Sequence, residues 1–184
     1  MQTAEAAPRT VADYVQLPDD GPRYELIEGE LLMAPAPNLF HQRISFNLTL
    51  ILGNFVEKKR LGKIFVAPFD VIFDEHNVLQ PDIIFFSNAR VSALTKAGAT
   101  GAPDLAVEIL SRGAEKRDRI QKRKIFARSG VEELWLIHPD KQRIELYRLK
   151  ENPDQPLQVL KAGEQFQSRL FPGLTIDARE VFAD

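Results

Sequence analysis

The sequence predicts a mixed α/β protein built on a central sheet flanked by helices. Three features predict it. One strand–helix–strand unit spans residues 104–138, the signature of a crossover between parallel strands. A long amphipathic helix pattern begins after Asn38, with Phe40, Ile44, Leu48, Ile51, Leu52 and Phe55 recurring along one stripe. Around these lie several short runs of alternating or wholly apolar β-formers bounded by turn residues.

In chain order, residues 1–9 read as a flexible tail and 10–184 as a single domain. Thr10 is a candidate N-cap for a short helix reaching Gln16, and Pro18–Pro22 is a turn cluster. Tyr24–Met33 alternates as one strand, ended by Pro35-Ala36-Pro37. Asn38 caps the long helix to Lys58. Lys63–Phe73 and Val78–Phe86 are strands joined by the turn Asp74–Asn77, a candidate hairpin. Residues 87–103 form a loop with a short helical piece. A strand at Asp104–Leu110, a helix at Glu115–Ser129 stopped by Gly130, and a strand at Glu133–His138 make the crossover unit. A turn at Pro139–Gln142 leads to a strand at Arg143–Leu149. Weaker strands come next at 157–160 and 164–171, then a turn at Pro172-Gly173 and a helical turn at Asp177–Phe182.

A chain of 184 residues can bury one substantial core, and 44% hydrophobic with 27% charged residues is ordinary for a soluble globule. The absence of cysteine excludes disulfides and thiolate zinc sites. No apolar run approaches the ~18 residues that span a bilayer, and the N-terminus lacks the apolar stretch of a secretion signal. The expectation is a soluble, cytoplasmic protein with no membrane partner. A net charge of −2 argues against an indiscriminate polyanion binder. The charge is uneven, however: Arg112, Lys116, Arg117, Arg119, Lys122, Arg123, Lys124 and Arg128 crowd one segment against only Glu115 and Asp118. A solvated helix face is the ordinary reading of such a run.

Three ionisable residues interrupt otherwise greasy segments. Asp82 lies in a strand with Ile84 and Phe86 on its own face and Ile83 and Phe85 opposite. Glu108 is likewise set among Ala106, Val107, Ile109 and Leu110. A buried carboxylate costs several kcal/mol, on the order of the known burial penalties, unless it is paired or binds a metal. If the strands pair, Asp82 and Glu108 can hold a hard divalent cation, Mg2+ or Mn2+, through oxygen ligands. The bland alternative is that Asp82 merely begins its strand after Pro81 and Glu108 reaches solvent. Helical spacing places Lys122 on the arc of Ile125 and Phe126, which faces the sheet, so its ammonium needs a negative partner. Its alternative is a lysine that snorkels to solvent. Asp118 lies one turn before Lys122 and is its candidate auxiliary partner.

Lesser candidates are Glu25 and Glu30, on opposite faces of one strand, so that at most one faces a common site; an exposed edge carboxylate is the ordinary reading of either. His41 falls on the apolar stripe of the long helix, as a satisfied core histidine or as an auxiliary group. Asp70 enters the site or sits at a strand bend, and His76 and His138 lie at turns. Lys116, Arg119 and Lys124 of the basic run are candidate nucleic-acid contacts. No glycine-rich phosphate loop, zinc-protease histidine pair or nucleophile elbow is present.

These residues carry a resemblance. Pro81-Asp82, Glu108 in Val-Glu-Ile-Leu-Ser, a helix with Asp118, Lys122 and Phe126, and Gly130-Val131 through Trp135 to His138-Pro139 resemble the Uma-two family of putative restriction endonucleases. Tyr24 to Leu31 and His41 match the family's opening, so the likeness is colinear over about residues 10–149. It implies a restriction-endonuclease-like core of the PD-(D/E)xK superfamily and metal-dependent DNA cleavage. Asp82 would be the motif's aspartate and Glu108 its acidic residue, and the family pattern favours Glu30 over Glu25. Leu110 stands where the motif's lysine is due, and Lys122 on the next helix matches its displaced position. Phe126 stands where the family often has tyrosine, which removes a hydroxyl. The resemblance also implies a homodimer able to address both strands. Two other functions remain open: a catalytically inactive nuclease-fold module binding nucleic acid or a protein, and an assembly protein using exposed aromatics such as Trp135 and Tyr147.

Overall fold

In the computed structural model, the described residues are 9–18, 22–34, 36–111 and 117–183, with the side chains of 117–119 outside the description. Of the expected tail, only Arg9 is described. It is tied down, its N–H donating to Gly29 O and its carbonyl lying 2.8 Å from His76 Nδ1.

The expected mixed α/β architecture is present, with its strands divided between two principal sheets and a small third pair. The elements are α1 (Val11–Tyr14), β1 (Tyr24–Ile27), β2 (Glu30–Met33), α2 (Leu39–Lys59), β3 (Gly62–Val66), β4 (Val71–Asp74), β5 (Asn77–Leu79) and β6 (Ile83–Ser87). They continue with β7 (Ala99–Thr100), β8 (Leu105–Ile109), a π-helical turn Arg117–Lys122 running into α3 (Arg123–Ser129), β9 (Glu133–His138) and β10 (Arg143–Arg148). Last come β11 (Gln158–Lys161), β12 (Gln165–Phe166), β13 (Ile176–Asp177) and α4 (Ala178–Val181). The main sheet runs β11-β10-β9-β8-β6-β3, antiparallel except for the parallel β8–β9 pair that the crossover unit predicted. The second runs β2-β1-β5-β4-β7, and β12 pairs with β13.

Three segments expected as single strands are each two strands. Tyr24–Met33 folds back at Glu28-Gly29, whose φ values of 52° and 77° suit the tight hairpin turn that glycine favours. Lys63–Phe73 breaks around Pro68, and Val78–Phe86 breaks around Pro81. Proline has no N–H to give a sheet ladder, so each break is where the ladder must end. The halves before Pro68 and after Pro81 pair as β3–β6 in the main sheet. The halves between them pair as β4–β5 in the second. The chain thus crosses from one sheet to the other and returns, and Ala67 N–H donating to Asp82 O at 3.1 Å joins the two crossings.

Helix α2 lays Ile44, Leu48, Leu52 and Val56 on one face of the main sheet against Phe85, Val107, Trp135 and Ile137. Phe40, expected on that stripe, is 61% exposed because it lies in the first turn, outside the sheet's edge. The opposite face carries Ala106, Leu134, Leu136 and Tyr147 under Ile125 and Phe126 of α3, with Ile27 and Leu79 of the second sheet. Trp135 and Tyr147 are buried, which removes them as exposed assembly aromatics. No helix among the described residues is long and apolar enough to cross a membrane.

The Asn38 side chain caps α2 by accepting the His41 N–H at 2.9 Å. Asn38→Ala is expected to cost about 1 kcal/mol. At this chain length that lowers Tm by roughly 2–4 °C, measurable by thermal unfolding followed by circular dichroism.

Candidate active site

The crossings between the sheets leave a cleft of about 140 Å³. Asp82, Glu108 and Lys122, distant in the chain, all line it, as do Glu25, His41 and Gln80. Asp82 is the last residue before β6 rather than an interior strand residue. Its backbone lies at the return crossing, and its carboxylate is partly exposed. Oδ2 accepts the N–H of Ile109, the residue after Glu108, at 2.6 Å, which fixes the two acids as neighbours across β6 and β8. Oδ1 lies 3.1 Å from His41 Nε2.

Glu108, 4% exposed, projects from β8 on the face covered by α3. Lys122, also 4% exposed, comes down onto it from the end of the π-helical turn. Its Nζ lies 3.1 and 3.2 Å from the two Glu108 oxygens and 2.8 Å from Glu25 Oε1. The ammonium therefore points inward, as its helical phase predicted, and bridges two buried carboxylates. Such a π turn adds a residue to the helix and re-aims the turns after it, a device frequent at functional sites.

Glu25, less favoured than Glu30 on sequence, is the one that enters the cleft. The hairpin explains the reversal. In β1, Glu25 is 2% exposed and accepts the Gln80 N–H at 2.9 Å, whereas Glu30 comes after the turn on the outer strand β2 and is exposed. The signal was available: Glu28-Gly29 between two alternating runs is a turn sequence. His41 faces the cleft rather than the core. Its ring stands 15% exposed against Asp82, and its buried Nδ1 has no partner among the described residues.

The other candidates divide. Lys124 is exposed, as a nucleic-acid contact must be. Lys116 and the side chains of Arg119 and Asp118 lie outside the described residues. Arg123 and Arg128 of the basic run are engaged: the first lies 5.2 Å over the Tyr147 ring, and the second pairs with Glu28 and Asp74. Asp70 sits at the start of β4 beside the cleft. Its Oδ1 accepts from the Tyr14 hydroxyl at 3.0 Å and the Gln80 side-chain amide at 2.7 Å. Burial, and then the Asp70 charge, push the Tyr14 hydroxyl well above the usual tyrosine range, so it remains a protonated donor. His138, expected at a turn, instead ends β9 buried, 3.2 Å from Glu145.

No three His, Asp or Glu side chains among the described residues form a ready-made metal cage. Magnesium does not require one: it usually takes one or two carboxylates and keeps several waters. Adjacent, oxygen-only donors at Asp82 and Glu108 fit that ion, and the cleft is lined by three carboxylates, two of them paired with Lys122.

A family profile described as "putative restriction endonuclease", Uma2, matches residues 11–179. The chain belongs to the Uma2 family. Among solved structures, this Uma2 chain is similar to a putative nuclease belonging to DUF820 from Anabaena variabilis. The match has a TM-score of 0.80 at 24% sequence identity and covers 96% of this chain and 98% of that one. At that identity the likeness speaks for the fold, which is restriction-endonuclease-like. No curated protein matches this Uma2 chain. The family match spans β1 through β13, so every residue of the cleft lies within it.

Proposed function

We propose that the protein is a divalent-metal-dependent endonuclease hydrolysing DNA phosphodiester bonds. The observation that carries this reading is the meeting of Asp82, Glu108 and Lys122, from three distant segments, in one cleft. Membership of a family described as "putative restriction endonuclease" supports it and is the reason for choosing DNA as the substrate class.

Asp82 and Glu108 would hold a magnesium- or manganese-type ion. When bound, such an ion supplies Lewis acidity at a phosphoryl oxygen and lowers the pKa of a water. The residues of the chain do the rest. Lys122, held between Glu25 and Glu108, presents a fixed positive charge that offsets the negative charge growing on the phosphoryl oxygens as water attacks. Because its position is set before substrate arrives, little reorganisation is needed during reaction. Glu25 and His41 are positioning residues: the first shares Lys122 with Glu108, and the second donates from Nε2 to Asp82 Oδ1 and orients that carboxylate. The products are a phosphomonoester and a free hydroxyl at the cut.

The test is nicking of supercoiled plasmid with Mg2+ or Mn2+, paired with calorimetric titration of Mg2+ into wild type and Glu108→Gln. Metal-dependent cutting is expected, together with a binding heat that the substitution removes. Salt-sensitive DNA binding with neither cutting nor a metal heat would instead establish the inactive binding module.

A further inference from the structure

Helix α2 carries a second stripe besides the one it lays on the sheet. Leu39, Arg43, Phe46, Leu50, Gly53 and Glu57 follow one another at alternate steps of four and three residues, all within about 40° of one line along the helix. That line runs opposite the buried Ile44, Leu48, Leu52 and Val56, and along it Leu39, Phe46 and Leu50 are 78%, 56% and 46% exposed. We propose that this outer face is a dimer interface, α2 pairing antiparallel with α2 of a second copy of the chain about a two-fold axis at Leu50. The pairing goes beyond the nuclease reading and does not depend on it.

Single exposed apolar side chains are ordinary on a protein surface, but three in line on one helix form a patch that calls for a cover. Alternate steps of four and three make a repeat of 3.5 residues, the spacing of a coiled-coil seam, whereas a face laid on a sheet is broader. A second helix crossing at about 20° keeps contact along the whole of such a seam. The cover is therefore a helix with the same repeat, which another copy of α2 supplies.

The seam's other residues fix the direction. Arg43 and Glu57 are both exposed and lie at equal distances along the helix on either side of Leu50. In an antiparallel pair with its two-fold at Leu50, Arg43 of each copy meets the partner's Glu57. A parallel pair would set Arg43 on Arg43 and Glu57 on Glu57, so charge selects the antiparallel one. Both groups are available. Arg43 has no ion-pair partner among the described residues, and Glu57 has only the exposed Lys63 at 3.6 Å, a surface pair of little strength. Size is complementary as well. The same axis brings Phe46 to the partner's Gly53, and a Cβ added at Gly53 would meet nothing within 4 Å, so the ring has room over the backbone. Leu50 meets its own copy, as a residue on an isologous axis must.

Sedimentation velocity on the full chain without DNA tests this. Wild type is expected to run as a dimer at micromolar concentration. Phe46→Asp, at an exposed position the fold does not need, should weaken the dimer about thirtyfold or more. Arg43→Glu and Glu57→Arg should each weaken it several-fold, because like charges then meet at both ends of the seam, and the two together should restore it. The chain has no cysteine, so Leu50→Cys gives a single thiol, which mild oxidation should convert to a disulfide-linked dimer. Gln158→Cys, exposed on β11, should give none. A monomeric wild type, a dimer unmoved by Phe46→Asp, no recovery in the charge swap, or equal cross-linking at the two cysteines would each overturn the inference. The plasmid assay reads separately: cutting by a monomer removes this inference alone, and a dimer that does not cut removes the endonuclease reading alone.

Discussion

Lys122→Met is expected to destabilise the protein by about 3–5 kcal/mol, the cost of removing one partner from a buried ion pair. The methionine fills nearly the same space, so the loss comes from charge. Glu25 and Glu108, both almost fully buried, would be left facing each other without the ammonium that bridges them at 2.8 and 3.1 Å. The companion variant, Glu25→Gln with Lys122→Met, should recover part of the loss, because one of the two carboxylates becomes neutral. Urea denaturation of the three proteins measures this. If the single variant is as stable as wild type, the ammonium does not sit between the acids in solution. Cleavage should fall about a hundredfold or more in both variants, since neither restores a positive charge at the phosphate.

Asp82→Asn should be the sharper probe of chemistry. Asparagine keeps an oxygen to accept the Ile109 N–H, and its amide nitrogen can donate to His41 Nε2 once the imidazole carries its proton on Nδ1. The fold therefore loses little, while the charge that would hold the metal disappears. Cleavage is expected to drop by about a hundredfold or more, with Tm within a few degrees of wild type. His41→Ala, which removes only the group that orients Asp82, should cost roughly ten- to a hundredfold. Steady-state rates at saturating and limiting Mn2+ separate the two, since the His41 defect should shrink when Mn2+ is raised. Full activity in Asp82→Asn would end the endonuclease assignment.

The sequence is most legible where period and chemistry agree. Lys122 can be placed facing the sheet because Ile125 and Phe126 fix the helical phase, and Glu108 because every neighbour on β8 is apolar. Three strands come out too long from sequence because alternation does not register a change of sheet. The side chains of Lys63–Phe73 keep a plausible pattern across Pro68 even though the ladder hydrogen bonds stop there. Pro68 and Pro81, lying opposite one another about the Asp74–Asn77 turn, are the available sign of the break. The preference for Glu30 comes from the family pattern, and the tight turn at Glu28-Gly29, which resets which residues face inward, favours Glu25 instead. His41 cannot be oriented by its stripe alone. It sits in the first turn of α2, where the helix has already run past the core and toward Asp82.

The double passage of the chain between its sheets has a consequence for when the protein becomes competent. Glu25 belongs to the smaller layer, Glu108 to the larger, and Asp82 to the joint between them. Neither layer by itself gives Lys122 both of its carboxylate partners, Glu25 and Glu108. In an incompletely assembled chain, on the ribosome or partly melted, the lysine thus faces one acid where the finished fold gives it two, and the arrangement proposed for catalysis is completed in one step with the docking of the two halves.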